Sequence, residues 1–414
     1  KSDIEFLREL GYEEDFLDYL SNMKFTGNIR SVKEGEIIFA NEPLLRIEAP
    51  LIQAQIMETA ILNIVNYQIL IATKAARIKH LCPDEVCMEF GTRRAHEFDA
   101  AIWGTRASII GGFDATSNVK AAKLFNIPCS GTHAHSFVQA YEDEEVAFKK
   151  YAAAHKDCYF LVDTYDTLRS GIPTAIEVAN ELKDEINFLG IRLDSGDIAY
   201  LSKEARKMLD AAGYPDAKIV ASNDLDEDTI THLKQQGAKI DAWGVGTKLI
   251  TAYDNPALGA VYKLACLEDD NGNMVDRLKV SENPAKLTIP GIKRVYRIIN
   301  KDTGMAAGDY IALENEDVSA EASIKLFHPT HTYLEKEVKN FEIRDLHTDI
   351  FINGEQVYDV PTVHESAQYF KENKELLWNE YLRLLNPEFY PVDLSVTCWN
   401  NRNAILKRVT KKSN

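Results

Sequence analysis

From residue 86 to residue 264 the chain repeats one pattern: a short apolar run, a loop rich in Gly, Ser, Thr, Asn and Asp, then apolar positions at helical spacing. The apolar runs lie near 86–90, 109–112, 127–129, 158–162, 187–192, 218–221, 241–245 and 260–265, mostly separated by helical patterns such as 137–154, 198–212 and 226–236. Strand and helix in alternation predict a parallel sheet. The even count of strands with short intervening helices favours a closed or nearly closed parallel α/β barrel, TIM-like in regular or irregular form, over an open doubly wound sheet.

On either side the pattern changes. Residues 3–22 are acidic and amphipathic, with Phe6, Leu7, Leu10, Phe16, Leu17 and Leu20 at helical spacing, and read as two short helices broken at Gly11. Segments 28–32, 36–40 and 44–48 alternate between polar turns, which predicts a small antiparallel sheet. The apolar stretch 51–79 is interrupted by Gln53, Gln55, Glu58, Thr59, Asn63, Asn66, Gln68 and Thr73, so it is expected as a helix buried in protein rather than a membrane span. Past Asp269 a polar turn opens short alternating segments at 296–299, 310–313, 323–327 and 349–352, followed by a last helix at 364–385 and a Pro-rich coil to about 392. The expected organisation is an N-terminal α+β region with its long helix (1–80), a barrel domain carrying the site (81–268), and a β-rich C-terminal region (269–414) that completes the N-terminal domain. The basic run Lys407 to Lys412 reads as a solvated terminus.

Composition narrows the partners. Over 414 residues the net charge is −17, which argues against a nucleic-acid groove or an anionic membrane surface. The six cysteines (82, 87, 129, 158, 266 and 398) are scattered, without a Cys-x-x-Cys pair or a secretory leader, and read as buried thiols of a reducing cytoplasm; no structural metal is expected.

In a parallel barrel all strand ends point one way, so the polar loops that follow them share one face. The loops are Phe90 to His96, Gly111 to Asn118, Gly131 to Ser136, Asp163 to Thr167, Arg192 to Asp197, Ser222 to Asp224 and Gly244 to Lys248. Arg93 and Arg94 offer forked donors for a carboxylate or phosphate. Arg192 and Asp194 share one side of their strand by alternation, as an ion pair or as a substrate-facing couple. Asp163 and Asp194 can hold sugar hydroxyls or a magnesium ion. Ser222, Asn223, Gly244, Gly246 and Thr247 offer hydroxyls, an amide and open backbone N–H groups after late strands, where this architecture commonly binds phosphate. Gly131 permits close approach of a ligand, Ser136 adds a hydroxyl, and His133 and His135 stand two apart, on one side if that segment is extended. Together these suit a phosphorylated sugar reacting with a small acid.

Phe90-Gly91-Thr92-Arg93-Arg94, Gly131-Thr132-His133-Ala134-His135-Ser136, Asp163-Thr164-Tyr165, Arg192-Leu193-Asp194-Ser195-Gly196-Asp197, Ser222-Asn223 and Gly244-Val245-Gly246-Thr247, in that order, resemble the nicotinate phosphoribosyltransferases, from about residue 5 to 400. The resemblance implies a cytoplasmic homodimer with shared active sites. It implies reaction of nicotinate with phosphoribosyl pyrophosphate and magnesium (Mg2+), giving nicotinate mononucleotide and pyrophosphate for NAD salvage, with ATP hydrolysis coupled through a phosphohistidine. By motif position His135 resembles the phosphorylated histidine, with Arg192 and Asp194 beside it in the catalytic set. Arg93, Arg192 and Ser136 resemble residues around nicotinate and the ribose; Asp163, Asp194, Ser222, Asn223, Gly246 and Thr247 resemble the phosphoribosyl-binding set, beside Gly131 and Gly244. Family members carry upstream a Thr-Asp-x-Tyr-type segment whose tyrosine stacks on the pyridine ring in the partner subunit's site. The sequence starts past that point, so either it is truncated or the ring is stacked otherwise.

Two other functions remain open on these residues. Asp114, if it lay beside the ring, would welcome an amide and hence nicotinamide, and a non-catalytic phosphate-sugar-binding barrel would carry the same loops. His133 competes with His135 for the phosphoryl group.

Overall fold

A computed structural model describes residues 2–280 and 288–411 and divides the chain into two compact units. The larger comprises residues 63–260 and 361–371, the smaller residues 1–62, 261–360 and 372–414. Against the boundaries expected at 80 and 268, the larger unit thus takes in most of the long helix and gives up residues 261–268. The reason is where the helix is apolar on its inward side. Glu58–Leu81 buries Leu70, Ile71, Ala75 and Ile78 in the larger unit's core.

The whole helical stretch Leu51–Leu81 is long and apolar enough to cross a membrane by length and composition. It is not buried throughout as expected: it is two helices, Leu51–Ile56 and Glu58–Leu81, and Leu51, Ile52, Ile56 and Ile64 are exposed. Lys74, buried in its second half, pairs with Asp254 (2.7 Å) and with Glu227, so a charge stands where a lipid-facing helix would carry none.

The larger unit is built on six strands: β1 (Val86–Glu89), β2 (Ala115–Thr116), β3 (Asp157–Leu161), β4 (Asn187–Leu193), β5 (Lys218–Ala221) and β6 (Ala242–Val245). All neighbours are parallel, in the order β2-β1-β6-β5-β4-β3, a half-barrel. Each strand sends alternate residues to opposite faces. Cys87, Cys158, Phe160, Ile191, Leu193, Ile219, Ala221, Trp243 and Val245 join the main core with the surrounding helices. Met88, Ala115, Val220 and Ala242 form a smaller cluster with Phe90 and Tyr159 on the other face.

The expected eight-stranded closed barrel does not form among the described residues. Residues 109–112 are the end of the helix Phe98–Ile110 and its exit, where Gly112 turns at φ +103°; a short apolar run fits a buried helix as well as a strand. Residues 260–265 carry no strand, and the next one, Cys266–Glu268, pairs antiparallel with Met274–Asp276 in the smaller unit. Residues 127–129 make only an isolated bridge, Thr116 to Cys129. Between the two edge strands runs segment 128–133, which is not a strand but bonds to both edges. Thr116 bonds Pro128 and Ser130 through its backbone (3.1 and 2.9 Å), and Leu161 N–H of β3 donates to the His133 imidazole (3.2 Å) instead of a strand carbonyl.

In the smaller unit, strand Asn28–Val32 pairs antiparallel with Leu45–Glu48 and with His347–Ile352, joining N- and C-terminal regions in one sheet. Residues 36–40, expected as a strand, are coil; their Glu36 side chain and Ile37 carbonyl receive Arg297. Strands Lys293–Asn300 and Ala306–Leu313 form the centre of a second sheet. The expected last helix is two, Val363–Glu375 and Asn379–Leu382, and a further helix, Val396–Lys411, takes up most of the basic run; Lys412 lies outside the described residues.

Candidate active site

The carboxyl ends of the parallel strands bring five loops to one edge. At the end of β4, Arg192 lies on the opposite face from the core residues Ile191 and Leu193. Its guanidinium donates from Nε to Ser222 Oγ (2.8 Å), from Nη1 to Thr132 Oγ1 (2.9 Å) and from Nη2 to Asp194 Oδ1 (2.8 Å), and lies 5.5 Å from the Phe90 ring centroid. One side chain therefore ties the loops after β3's neighbouring segment, β4, β5 and β1. Three of five N–H groups are engaged, leaving two without a partner among the described residues.

Asp194 also accepts a hydrogen bond from Ser222 Oγ. Burial alone would raise its carboxyl, but the Arg192 charge and the Ser222 hydroxyl outweigh that and hold it below the ordinary aspartate range. Asp163, after β3, accepts at Oδ2 from the Asp194 backbone N–H (2.9 Å) and from Ser195 Oγ (2.6 Å); its buried Oδ1 has no hydrogen-bond partner among the described residues. His135 opens the short helix His135–Gln139, its Nδ1 3.1 Å from Thr164 Oγ1. Its Nε2 stands 3.6 Å from Asp194 Oδ2 and 3.9 Å from Asp163 Oδ1, and the side chain is 36% exposed.

The two histidines part company here. They do not share one side of a strand as expected, because the segment is coil passing into helix. His133 is 7% exposed, boxed by Phe137, Phe148, Tyr151 and Phe160, with Nε2 taken up by Leu161 N–H. Burial pushes its pKa down to about 4, so it is neutral, and Nδ1 carries the proton. His133 is an anchor for the loop; His135 faces the carboxylates.

The remaining expected residues lie at the same edge with fewer contacts. Gly244 is required for space: a Cβ there would stand 2.5 Å from the Phe90 ring. Gly246 and Thr247 begin the short helix Thr247–Ile250. Asn223, exposed, holds φ +93°, a backbone setting few side chains adopt. Arg93, Gly131 and Ser136 are exposed, and no hydrogen bond joins them to the Arg192 cluster among the described residues. Asp114 is not at this edge. It accepts from Cys87 N–H near the start of β1 (2.8 Å) and from Lys79 (2.9 Å), at the amino end of the sheet, and so does not meet a substrate ring at the mouth. Cys129, read from the sequence as buried with the other thiols, is exposed, and Cys266 is half-buried.

Thr164 and Phe90 were legible only as members of their motifs, since a hydroxyl or a ring at a strand end has no periodic signal. Glu89 had one: it is the single charged residue in the apolar run of β1. It is wholly buried, with oxygens accepting from Gly91 N–H and lying 2.8 and 2.7 Å from Thr105 and Thr116 Oγ1.

Three family profiles match the chain: the nicotinate phosphoribosyltransferase (NAPRTase) family over residues 86–276, its N-terminal domain over 1–66 and its C-terminal domain over 292–402. The nicotinate phosphoribosyltransferase of Bacillus subtilis (strain 168) is 63% identical over 402 residues, covering 97% of this chain and 82% of that protein. The enzyme of the same name from Dictyostelium discoideum is 35% identical, covering 95% and 76%. The crystal structure of human nicotinic acid phosphoribosyltransferase superposes with a TM-score of 0.84 at 27% identity, covering 98% of this chain and 88% of that one.

Proposed function

The chain belongs to the nicotinate phosphoribosyltransferase family, and from that premise we infer that it joins nicotinate to phosphoribosyl pyrophosphate in NAD salvage. The pyridine nitrogen forms a bond to the anomeric carbon of the ribose as the bond to the pyrophosphate oxygen breaks, giving nicotinate mononucleotide and pyrophosphate. The observation that carries the site assignment is the Arg192 network, in which Thr132, Asp194 and Ser222 fix a guanidinium with two N–H groups to spare. Those groups, with Arg93, fork onto the nicotinate carboxylate, and Ser136 adds a hydroxyl. A charge-assisted bond of this kind contributes about 1.5–3 kcal/mol, which favours nicotinate over its uncharged amide.

Ser222, Asn223, Gly244, Gly246 and Thr247 receive the phosphoribosyl group, and Gly131 lets it approach the loop. Asp163 and Asp194 hold the ribose hydroxyls or a magnesium ion brought with the pyrophosphate. Asp163 Oδ1, which accepts no hydrogen bond among the described residues, and Asp194 Oδ2, 3.6 Å from His135 Nε2, are hard oxygen donors that fit such a cation. Bound there, it would neutralise charge on the leaving pyrophosphate.

His135 takes the γ-phosphoryl group of ATP: an imidazole nitrogen forms the bond to phosphorus as ADP leaves, and water later releases phosphate. Its exposure and its carboxylate neighbours support it over His133, which is buried with one nitrogen already engaged. A cytoplasmic homodimer with shared sites belongs to the same reading. Six free cysteines and the exposed apolar side chains of Trp103, Val119 and Leu124 support it.

The test offers nicotinate, nicotinamide and quinolinate side by side, then labels wild type, His133→Ala and His135→Ala with γ-labelled ATP. Nicotinate is expected as the substrate turned over, with acid-labile, base-stable phosphate on wild type and on folded His133→Ala but not on His135→Ala. Label retained by His135→Ala would remove the assignment.

A further inference from the structure

Glu89 ends β1 directly before the turn Thr92–Arg94 that carries Arg93. Its carboxyl group is wholly buried and no lysine or arginine is among its hydrogen-bond partners. One oxygen receives Gly91 N–H, the first amide of the turn. The other contacts Thr105 of the helix behind (2.8 Å) and Thr116 of β2 (2.7 Å).

Hydrogen counting points to the state of this group. Thr105 Oγ1 also lies 2.8 Å from the Ala101 carbonyl, which accepts only. Thr116 Oγ1 receives Asn118 N–H (2.9 Å) and has its own hydrogen for Glu89. Three close oxygen–oxygen contacts, Thr105 to Ala101, Thr105 to Glu89 and Thr116 to Glu89, must share the two hydroxyl hydrogens unless the carboxyl group brings a third. A proton on the carboxyl group gives each contact its own hydrogen. Glu89 then donates to Thr105, and Thr105 to Ala101. The titratable group facing it is Tyr67, whose hydroxyl is occupied with the Ala100 and Ile250 carbonyls (3.0 and 2.9 Å).

We propose that Glu89 is a positioning residue that, as a neutral carboxylic acid, fastens the arginine-bearing turn to β2 and to the helix Phe98–Ile110. Neutrality matters because an ionised carboxylate under the turn would oppose the anions that the mouth receives. Burial, which acts to raise the carboxyl, agrees with the hydrogen count. The turn is built on this group: a Cβ at Gly91 would sit 2.9 Å from the Glu89 carboxyl oxygen and 2.5 Å from Ile250.

The kinetic half of the test rests on the nicotinate reading; the spectroscopic half does not. The infrared difference spectrum of wild type against Glu89→Gln at neutral pH is expected to show a protonated-carboxyl stretch in the wild type alone. Its absence overturns the proposal whatever the substrate is. In steady-state assays Glu89→Gln, whose carbonyl keeps the Gly91 bond and whose NH2 can donate to Thr105 and, with the hydroxyl turned, to Thr116, should hold kcat and the nicotinate KM within about threefold, whereas Glu89→Leu should raise that KM about tenfold or more with a smaller change in kcat. If Glu89→Leu does not fold, Thr116→Val, which removes one partner, replaces it with an expected severalfold rise in KM. Glu89→Gln as impaired as the Leu or Val variant would overturn the positioning role.

Discussion

Two arginines, one in each unit, show how the same side chain serves structure or chemistry. Arg297 is wholly buried, its guanidinium forked onto Asp309 (2.9 and 2.7 Å), bonded to Glu36 (2.7 Å) and to the Ile37 carbonyl (2.7 Å), and set near the rings of Phe39 and Tyr390. Arg192 is also braced by a carboxylate, but its other partners are hydroxyls, it is partly exposed, and two of its N–H groups remain open. A buried arginine with its donors committed to carboxylates locks strands together. An arginine braced mostly by neutral groups keeps its charge available.

The largest expected effect comes from cutting the first kind. Arg297→Met leaves Asp309 buried without its cation and Glu36 with Arg344 alone, so unfolding free energy should fall by about 3–5 kcal/mol. Denaturant unfolding at neutral pH measures it; a loss below 1 kcal/mol would erase the distinction.

Cutting the second kind moves activity instead. Arg192→Met removes a charged donor from the substrate and frees Asp194, which is only partly buried. The expected loss in kcat/KM for nicotinate is about a hundredfold, with unfolding free energy changed by about 1 kcal/mol or less. Equal damage to both quantities would place Arg192 with Arg297.

The histidines repeat the contrast within one loop, since the His133 ring is committed to the fold and His135 is open. His133 has its pKa lowered by burial to about 4, against about 6.5 in the unfolded chain. Its contribution is therefore complete above about pH 6.5 and is lost as pH falls towards 4, up to about 3 kcal/mol. His133→Leu should flatten that part of the stability profile relative to wild type, as measured by denaturant unfolding across that pH range.

How much of this the sequence displayed follows from the same contrast. Five of the six strands and the polar loops after them stand out because short apolar runs end in Gly, Ser, Asp and Arg at Arg192 to Asp197 or Gly244 to Lys248. The open edge did not, because a His133 nitrogen in place of a strand carbonyl leaves no trace in periodicity. Asp114 looked like a mouth residue for a related reason: the Ile109-Ile110 run reads as a strand but is the end of a helix, which puts the following aspartate at the other end of the sheet. Which arginine is structural was equally hidden, since Arg297 and Arg192 both sit in alternating runs and differ only in the partners that other segments bring.

The smallest effect separates backbone from side chain at Asn223, whose φ of +93° glycine accepts without strain and alanine does not. Asn223→Gly relieves whatever strain the asparagine bears but releases more chain entropy on unfolding, so its stability should stay within about 0.5 kcal/mol of wild type, whereas Asn223→Ala should lose about 1 kcal/mol. Activity distinguishes the two uses of the residue. If the amide group binds the phosphoribosyl moiety, as the open mouth suggests, both variants raise the KM for phosphoribosyl pyrophosphate by a similar severalfold factor, because both lack the amide. If asparagine is there only to tolerate the left-handed backbone, the glycine variant keeps wild-type KM and the alanine variant alone suffers. Steady-state kinetics on the pair, with thermal unfolding run alongside, decides between an exposed polar group held for its substrate and one held for its backbone.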